Sequence, residues 1–299
     1  MPEAVIIDVV RTAGGKRNGP LAGWHPVDLA AETLKALAER NSLDAELVDD
    51  VIMGCVMQAG AQALNVGRNA VLAAGWPESV PSTTIDRQCG SSQQAYHFAA
   101  QGVMAGAYDV VVASGVEVMS LVPMGGSIGR NIGFPFGAAA DRYTDVELLE
   151  GHPGLIGQGL SAEVIANEWD LSREDLDAYG ARSQELAQRA ADEGRFDNEI
   201  IPVVSKIRDK ETGEVKVLDT MHTRDEGIRP GTSAESLANL KPAFLPEGKV
   251  TAGNSSQICD GASAALIMSA EKAKELGLTP RAKFRSFALA GVDPVRMLT

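Results

Sequence analysis

Cys89 stands in the stretch TIDRQCGSSQQA, residues 84–95, between a β-branched run and an amphipathic one. A cysteine attacks carbonyls as its thiolate, and a free thiol is mostly protonated at neutral pH. The unpaired N–H groups and partial positive charge of a helix N-terminus favour the thiolate. Cys89 precedes the helical pattern of SSQQAYHFAAQGVMAGA by a few residues, which places it at such an N-terminus. Gly90 removes a side chain beside the sulfur, and backbone N–H groups there suit an oxyanion. The competing reading is packing, because free cysteine is among the most buried residue types. Cys55, inside an apolar run, fits that reading better, and so does Cys259, beside Asp260 and Gly261.

The elements that must position Cys89 are readable from periodicity. AVIIDVVRT (4–12), VDDVIMGCVMQ, STTIDRQ and YDVVVASGVE read as strands. HPVDLAAETLKALAER carries Val27, Ala30, Ala31, Leu34 and Ala38 at helical spacing, and LNVGRNAVLAAG is a second helix ended by Gly75 and Pro77. The helix after Cys89 is expected to bury Ala95, Phe98, Ala99, Gly102, Val103 and Gly106. Strands alternating with helices imply an α/β fold with a mostly parallel sheet, and the unbroken apolar run 110–113 suits a strand covered on both faces. From about residue 120 to 248, glycine, proline and charge are frequent, which suggests an insertion; Ser172 and Asp175 mark a helix start within it. After Thr251, AGNSSQICDGASAALIMS returns to small residues and a buried apolar run, and RAKFRSFALAG reads as one more strand. The chain then stops at GVDPVRMLT, directly after a strand, which is odd for a complete domain.

The 299 residues suffice for one large domain or two ordinary ones. A net charge of −13 argues against nucleic acid as a partner, since phosphate neutralisation needs a basic face. No run approaches the roughly 18 apolar residues of a membrane span, and MPEAVIIDVV lacks the basic start of a signal peptide. Three cysteines without metal-like spacing read as free thiols in a reducing, cytoplasmic setting, with no metal site.

DRQCGSSQQA followed by GVMAGAYDVVVASGVEVMS resembles the nucleophile region of the thiolases, the acetyl-CoA acyltransferases. The resemblance runs through VIIDVVRTAGGKRNGPLAG, GLSAEVIANEWDLSREDLDAYGARSQELAQRA, GRFDNEIIPV, LANLKPAF, VTAGNSSQICDGASAALIMSAEKA and GVDPVRMLT, in the family's order and over nearly the whole chain. It implies two similar halves in an α/β/α/β/α stack, each with a five-stranded mixed, mostly parallel sheet. Residues 1–119 and 250–270 would form the N-terminal domain, 120–249 an inserted coenzyme A-binding loop domain, and 271–299 the start of the second half, the rest of which these residues do not include. It makes Cys89 the residue that carries the acyl group as a thioester. It places Arg229 near the adenine and Ser236 near the nucleotide of coenzyme A. Ala252, Ser255, Ser256 and Ile258 fall beside the pantetheine arm, and Met297 near the reactive end. Read without the family, Arg229 is a solvated charge, the serines are turn residues and Met297 fills a core. Lys206, Arg208, Lys210, Arg224 and Arg229 form a basic cluster able to attract phosphates, or else a solvated loop.

Two departures from the family stand out. Where it has an aromatic–His–Met triplet, this chain has Ile156, Gly157 and Gln158, which implies a more open pocket and a bulkier acyl chain than acetoacetyl. The family also uses a histidine and a second cysteine in motifs resembling GGAIALGHP and C.GGG, and neither occurs in these 299 residues. EGHPG at 150–154 lacks the flanking context, so His152 is not the missing base; His97 belongs to packing or solvent, and His25 and His222 to loops. The expected activity is thiolysis of a 3-ketoacyl-CoA or the reverse Claisen condensation. Coenzyme A is a substrate, no cofactor is tightly held, and the assembly is a homodimer or homotetramer. Fatty-acid degradation is the default setting, with breakdown of a bulky ring or side chain second. A ketoacyl-synthase-type condensing enzyme and a non-catalytic acyl-CoA or lipid-binding homologue remain the rivals, and the 299-residue chain alone is expected not to sustain turnover.

Overall fold

The computed structural model describes residues 2–128 and 135–299. The elements follow in the order β1 (Ala4–Thr12), β2 (Gly15–Lys16), α1 (Pro26–Asn41), β3 (Asp50–Gly54), α2 (Val66–Ala73), β4 (Ser82–Ile85), α3 (Ser91–Met104), β5 (Val110–Val118), α4 (Ala138–Tyr143), α5 (Gln158–Glu168), α6 (Arg173–Asp192), β6 (Ile200–Ile201), β7 (Val203–Arg208), β8 (Val215–His222), α7 (Ala234–Ala238), β9 (Cys259–Ser269), α8 (Ala270–Glu275) and β10 (Ala282–Lys283). They divide into two bodies. The first comprises Met1–Ser127, Phe196–Gly227 and Ile258–Phe287; the second comprises Ile128–Arg195, Ile228–Gln257 and Ala288–Thr299. The stretch 120–249 thus contributes to both, because β6, β7 and β8 fold with the first body.

The sheet of the first body runs in the order β10-β1-β9-β5-β3-β4. β4, β3 and β5 are parallel, and β9 is antiparallel to β5 and to β1, so β9 alone runs against the other principal strands. This is the mixed, mostly parallel α/β sheet expected from the sequence. Successive residues of β5 point to opposite faces. Val110 and Val112 pack with Leu29, Leu34, Val66 and Val71 of α1 and α2. Val111 and Ala113 pack with Ala95, Ala99, Ala100 and Val103 of α3 on the other face. Both faces are covered, so the run 110–113 has no polar alternation to show. Each fully buried leucine of α1 contributes about 1.5–3 kcal/mol.

Two expectations are corrected here. Phe98 is 41% exposed, because the arc of α3 that meets the sheet runs through Ser91, Ala95, Ala99 and Val103 and leaves Phe98 to one side. In RAKFRSFALAG only Ala282–Lys283 is strand, paired with Ile6 and Val5; Phe284 and Phe287 instead stack beside α3.

Arg11 on β1 ties the segment 196–227 to the sheet. It donates to Glu199 at 2.7 Å and to both oxygens of Asp225 at 2.7 and 3.0 Å, and lies over the Phe196 ring. Asp225 also accepts the Gly14 N–H at 2.6 Å. Burial opposes its ionisation, but Arg11 and Gly14 outweigh burial and hold the carboxyl below the usual 3.8. A carboxyl depressed by folding adds stability above its unfolded pKa and loses it as pH falls through the folded one. Thermal melts should show the native chain losing stability below about pH 4 more steeply than Asp225→Asn; parallel losses would exclude this carboxylate as the cause.

Candidate active site

Cys89 is exposed, in the turn between the carboxyl end of β4 and the start of α3. Ligands of open α/β sheets gather outside the carboxyl ends of their strands, and that is where this thiol sits. The turn is tight. Gln88 has φ +46°, the left-handed region that a residue with a side chain enters at a cost. Asp86 accepts the Gln88 N–H at 2.6 Å, Gly90 N–H donates to the Arg87 carbonyl at 3.0 Å, and Gly90 is the N-cap of α3.

Two glycines decide how near α3 comes to the sheet. A Cβ on Gly54, at the end of β3, would strike the backbone of Ser91 and Ser92. A Cβ on Gly115, in β5, would strike the Ser92 hydroxyl. The turn is thereby seated directly on the strand ends.

The other cysteines differ. Cys55 is buried, and burial first, then the Glu117 and Asp86 charges, push its thiol up to about 12. Gln62, which is fully buried, approaches its sulfur at 3.4 Å and donates to Glu117 at 2.6 Å, while Glu117 accepts the Val56 N–H at 3.0 Å. These partners brace the segment after β3; a lone glutamine in a loop gave no sign of it. Cys259 is exposed at the start of β9, which corrects the expectation that it packs. Desolvation of its sulfur and the Asp260 and Glu117 charges push its thiol up.

Of the histidines, His152 is half-buried and its ring lies 2.9 Å from the Glu150 carbonyl. His97 meets the Phe287 ring edge-on. His222 is not a loop residue: it ends β8, buried, 3.2 Å from the Ala13 carbonyl. Two members of the basic cluster serve the β7–β8 hairpin, Lys206 by lying over the Trp24 ring at 3.3 Å and Arg208 by donating to the Gly213 carbonyl at 2.9 Å.

Ile258 belongs to the first body and is exposed. The remaining coenzyme candidates belong to the second. Ala252, Ser255 and Ser256 lie in a loop that is pinned from within its own body. Asn254 accepts the Thr251 N–H at 2.8 Å and donates to buried Asp177 of α6 at 2.9 Å. Asp177 also holds Arg173 at 2.7 Å. Glu163 of α5, buried, accepts the N–H groups of Lys249 and Val250, both at 2.9 Å. Gly180 lets the Gly253 carbonyl approach α6. Ala252 and Ser256 are left exposed. Arg229 is exposed and its N–H donates to Gln184 of α6 at 2.8 Å. The Ser236 hydroxyl is engaged in a capping box with Ser233, a use of that serine that sequence reading missed. Met297, 41% exposed with φ +54°, follows Arg296, which is paired to Glu168 at 2.6 and 2.7 Å.

Residues 4–271 match the family model described as "Thiolase, N-terminal domain". The chain belongs to the thiolase family. A steroid 3-ketoacyl-CoA thiolase of Mycobacterium tuberculosis is 45% identical, over 100% of this chain and 70% of the relative. A 3-ketoacyl-CoA thiolase of Bacillus subtilis is 42% identical over 98% of this chain and 73% of its own. The crystal structure of the Bacillus anthracis acetyl-CoA acetyltransferase superposes with a TM-score of 0.81 at 37% identity, covering 99% of this chain and 73% of that one. In this thiolase a mixed sheet carries the turn that holds Cys89.

Gly54→Ala should cost this thiolase about 1–3 kcal/mol, because α3 must move. The expected readings are a lower urea midpoint and slower carbamidomethylation of Cys89; an unchanged pair would show that α3 does not rest on Gly54. Asn254→Ala should raise amide hydrogen exchange across 249–256, through loss of pins worth about 1–3 kcal/mol; unchanged exchange would mean that the loop is held elsewhere.

Proposed function

We propose that Cys89 is the acyl-carrying nucleophile of a 3-ketoacyl-CoA thiolase. The single observation that carries this is an exposed thiol at the β4–α3 turn in a chain of this family, where burial would have excluded attack. The sulfur attacks the 3-keto carbon, and the resulting oxyanion collapses with cleavage of the bond between the α and β carbons. The acyl group stays on sulfur as a thioester, and the enolate of acetyl-CoA takes a proton from a general acid. Free coenzyme A gives up its thiol proton, attacks the thioester, and leaves with the shortened acyl group as Cys89 is regenerated. The same steps reversed are a Claisen condensation. Coenzyme A enters as a substrate.

In this reading Arg229, Ser236, Ala252, Ser255, Ser256, Ile258 and Met297 contact the coenzyme, and residues 120–249 supply Arg229 and Ser236. Exposure of Arg229, Ala252, Ser256, Ile258 and Met297 supports it. The acyl chain is bulkier than acetoacetyl. Gly157, at the start of α5, supports this, since a Cβ there would meet nothing within 4 Å. The name of the steroid-acting relative points the same way. The assembly is a homodimer or homotetramer, as the family resemblance implies, acting in the cytoplasm. Among the described residues no helix is long and apolar enough to cross a membrane.

Iodoacetamide should label Cys89, and a bulky 3-ketoacyl-CoA should protect it better than acetoacetyl-CoA. Absence of protection by either would refute the nucleophile; equal protection would refute the bulky chain. The 299-residue chain should release no acetyl-CoA in steady state, as its residues hold neither second-half motif; sustained release from a sample of verified mass would show that another group moves the proton.

A further inference from the structure

We propose that Ser91 is a positioning residue for Cys89, acting as a clamp that holds Gln88 in its left-handed conformation. This rests on Cys89 being the nucleophile. The Ser91 hydroxyl bridges the two sides of the turn: it accepts the Arg87 N–H at 3.0 Å and donates to the Gln88 carbonyl at 2.6 Å. The Ser91 N–H donates to that same carbonyl at 3.1 Å. Five residues, Arg87 to Ser91, are closed into a ring with Cys89 on its rim. Ser91 is 4% exposed, so water does not compete for these bonds.

The clamp has work to do because Gln88, at φ +46°, carries a side chain where glycine would be at ease. Without the hydroxyl, the Arg87 N–H loses its acceptor and Gln88 relaxes towards negative φ. A rotation there, one residue before Cys89, swings the sulfur away from the strand ends. The crowding of Gly54 and Gly115 against Ser91 and Ser92 fixes α3, so the turn has to absorb the whole change. A displacement of about 1 Å at a reacting atom costs tenfold or more in rate.

The causal path through Gln88 makes the idea testable in the 299-residue chain. Cys89 and Cys259 are both exposed, so Cys259 is an internal reference for iodoacetamide labelling, read by peptide mass. Ser91→Ala should lower the Cys89-to-Cys259 labelling ratio by more than about threefold, because the displaced sulfur presents a different exposure to the reagent. Ser91→Thr, which keeps the hydroxyl, should stay within about twofold of the native ratio. Gln88→Gly should rescue Ser91→Ala, since glycine holds positive φ without a clamp. A native ratio in Ser91→Ala, or no rescue by Gln88→Gly, overturns the proposal. Should Ser91→Ala alone fail to fold, the Gln88→Gly background decides: adding Ser91→Ala must then change the ratio less than twofold, and a larger change overturns the clamp. Protection by a 3-ketoacyl-CoA tests the nucleophile separately, because the ratio is read without substrate.

Discussion

The distance between α3 and the strands β3 and β5 governs this site. Ser91 and Ser92 occupy space that a methyl group on Gly54 or Gly115 would claim. A helix that close leaves only four residues, Asp86 to Cys89, and its cap Gly90 to turn the chain from β4 into α3. In this turn Gln88 takes positive φ. The exposure of Cys89 is a consequence: the buried interior of the turn is filled by Ser91, and the thiol is left outside.

The first body was largely legible because its elements obey one period each. β1 spans the expected residues 4–12, and α1, α2 and α3 fall on the stretches whose apolar residues recur at helical spacing. Legibility failed where tertiary partners choose among equal local options. Phe98 satisfies the helical period of α3, yet the sheet takes Ala95, Ala99 and Val103, whose small side chains allow close approach, and the ring is left half outside. RAKFRSFALAG has the composition of a strand, but β1 offers it only a two-residue partner, and its phenylalanines pack on α3 instead. His222 looked like a loop residue because its flanks, Thr223 to Gly227, are polar; pairing with Val203 carries β8 one residue into the interior.

In the second body, local chemistry could be read and distant pinning could not. Ser172 and Asp175 announce the start of α6 by type and spacing alone, and the structure shows the full capping box. Asn254, Asp177 and Glu163 give no such signal. Asp177 shares α6 with the exposed Glu174 and Asp175, and Glu163 shares α5 with the exposed Glu168; nothing local separates the buried carboxylate from the solvated ones. What distinguishes them is the partner from far along the chain: Asn254 for Asp177, and the Lys249 and Val250 N–H groups for Glu163. These bonds hold the loop that carries Ala252, Ser255 and Ser256 from within its own body.

The three cysteines show why residue type alone leaves a nucleophile undecided. Cys55 and Cys89 each follow a strand of the parallel set within a few residues. Cys55 continues β3 inward, beside Gln62 and Glu117, and its thiol is held protonated to about 12. Cys89 follows a turn that reverses the chain outward. The difference lies in the residue before each sulfur's environment closes: after Gly54 the backbone stays extended against Ile85, and at Gln88 it changes hand. Burial beside Gln62 and Glu117 holds the first thiol protonated, and the turn leaves the second exposed. Since the sign of φ at Gln88 is stabilised by hydrogen bonds within residues 86–91, the shape of the turn is encoded locally in DRQCGS, while its seat on the sheet depends on Gly54 and Gly115.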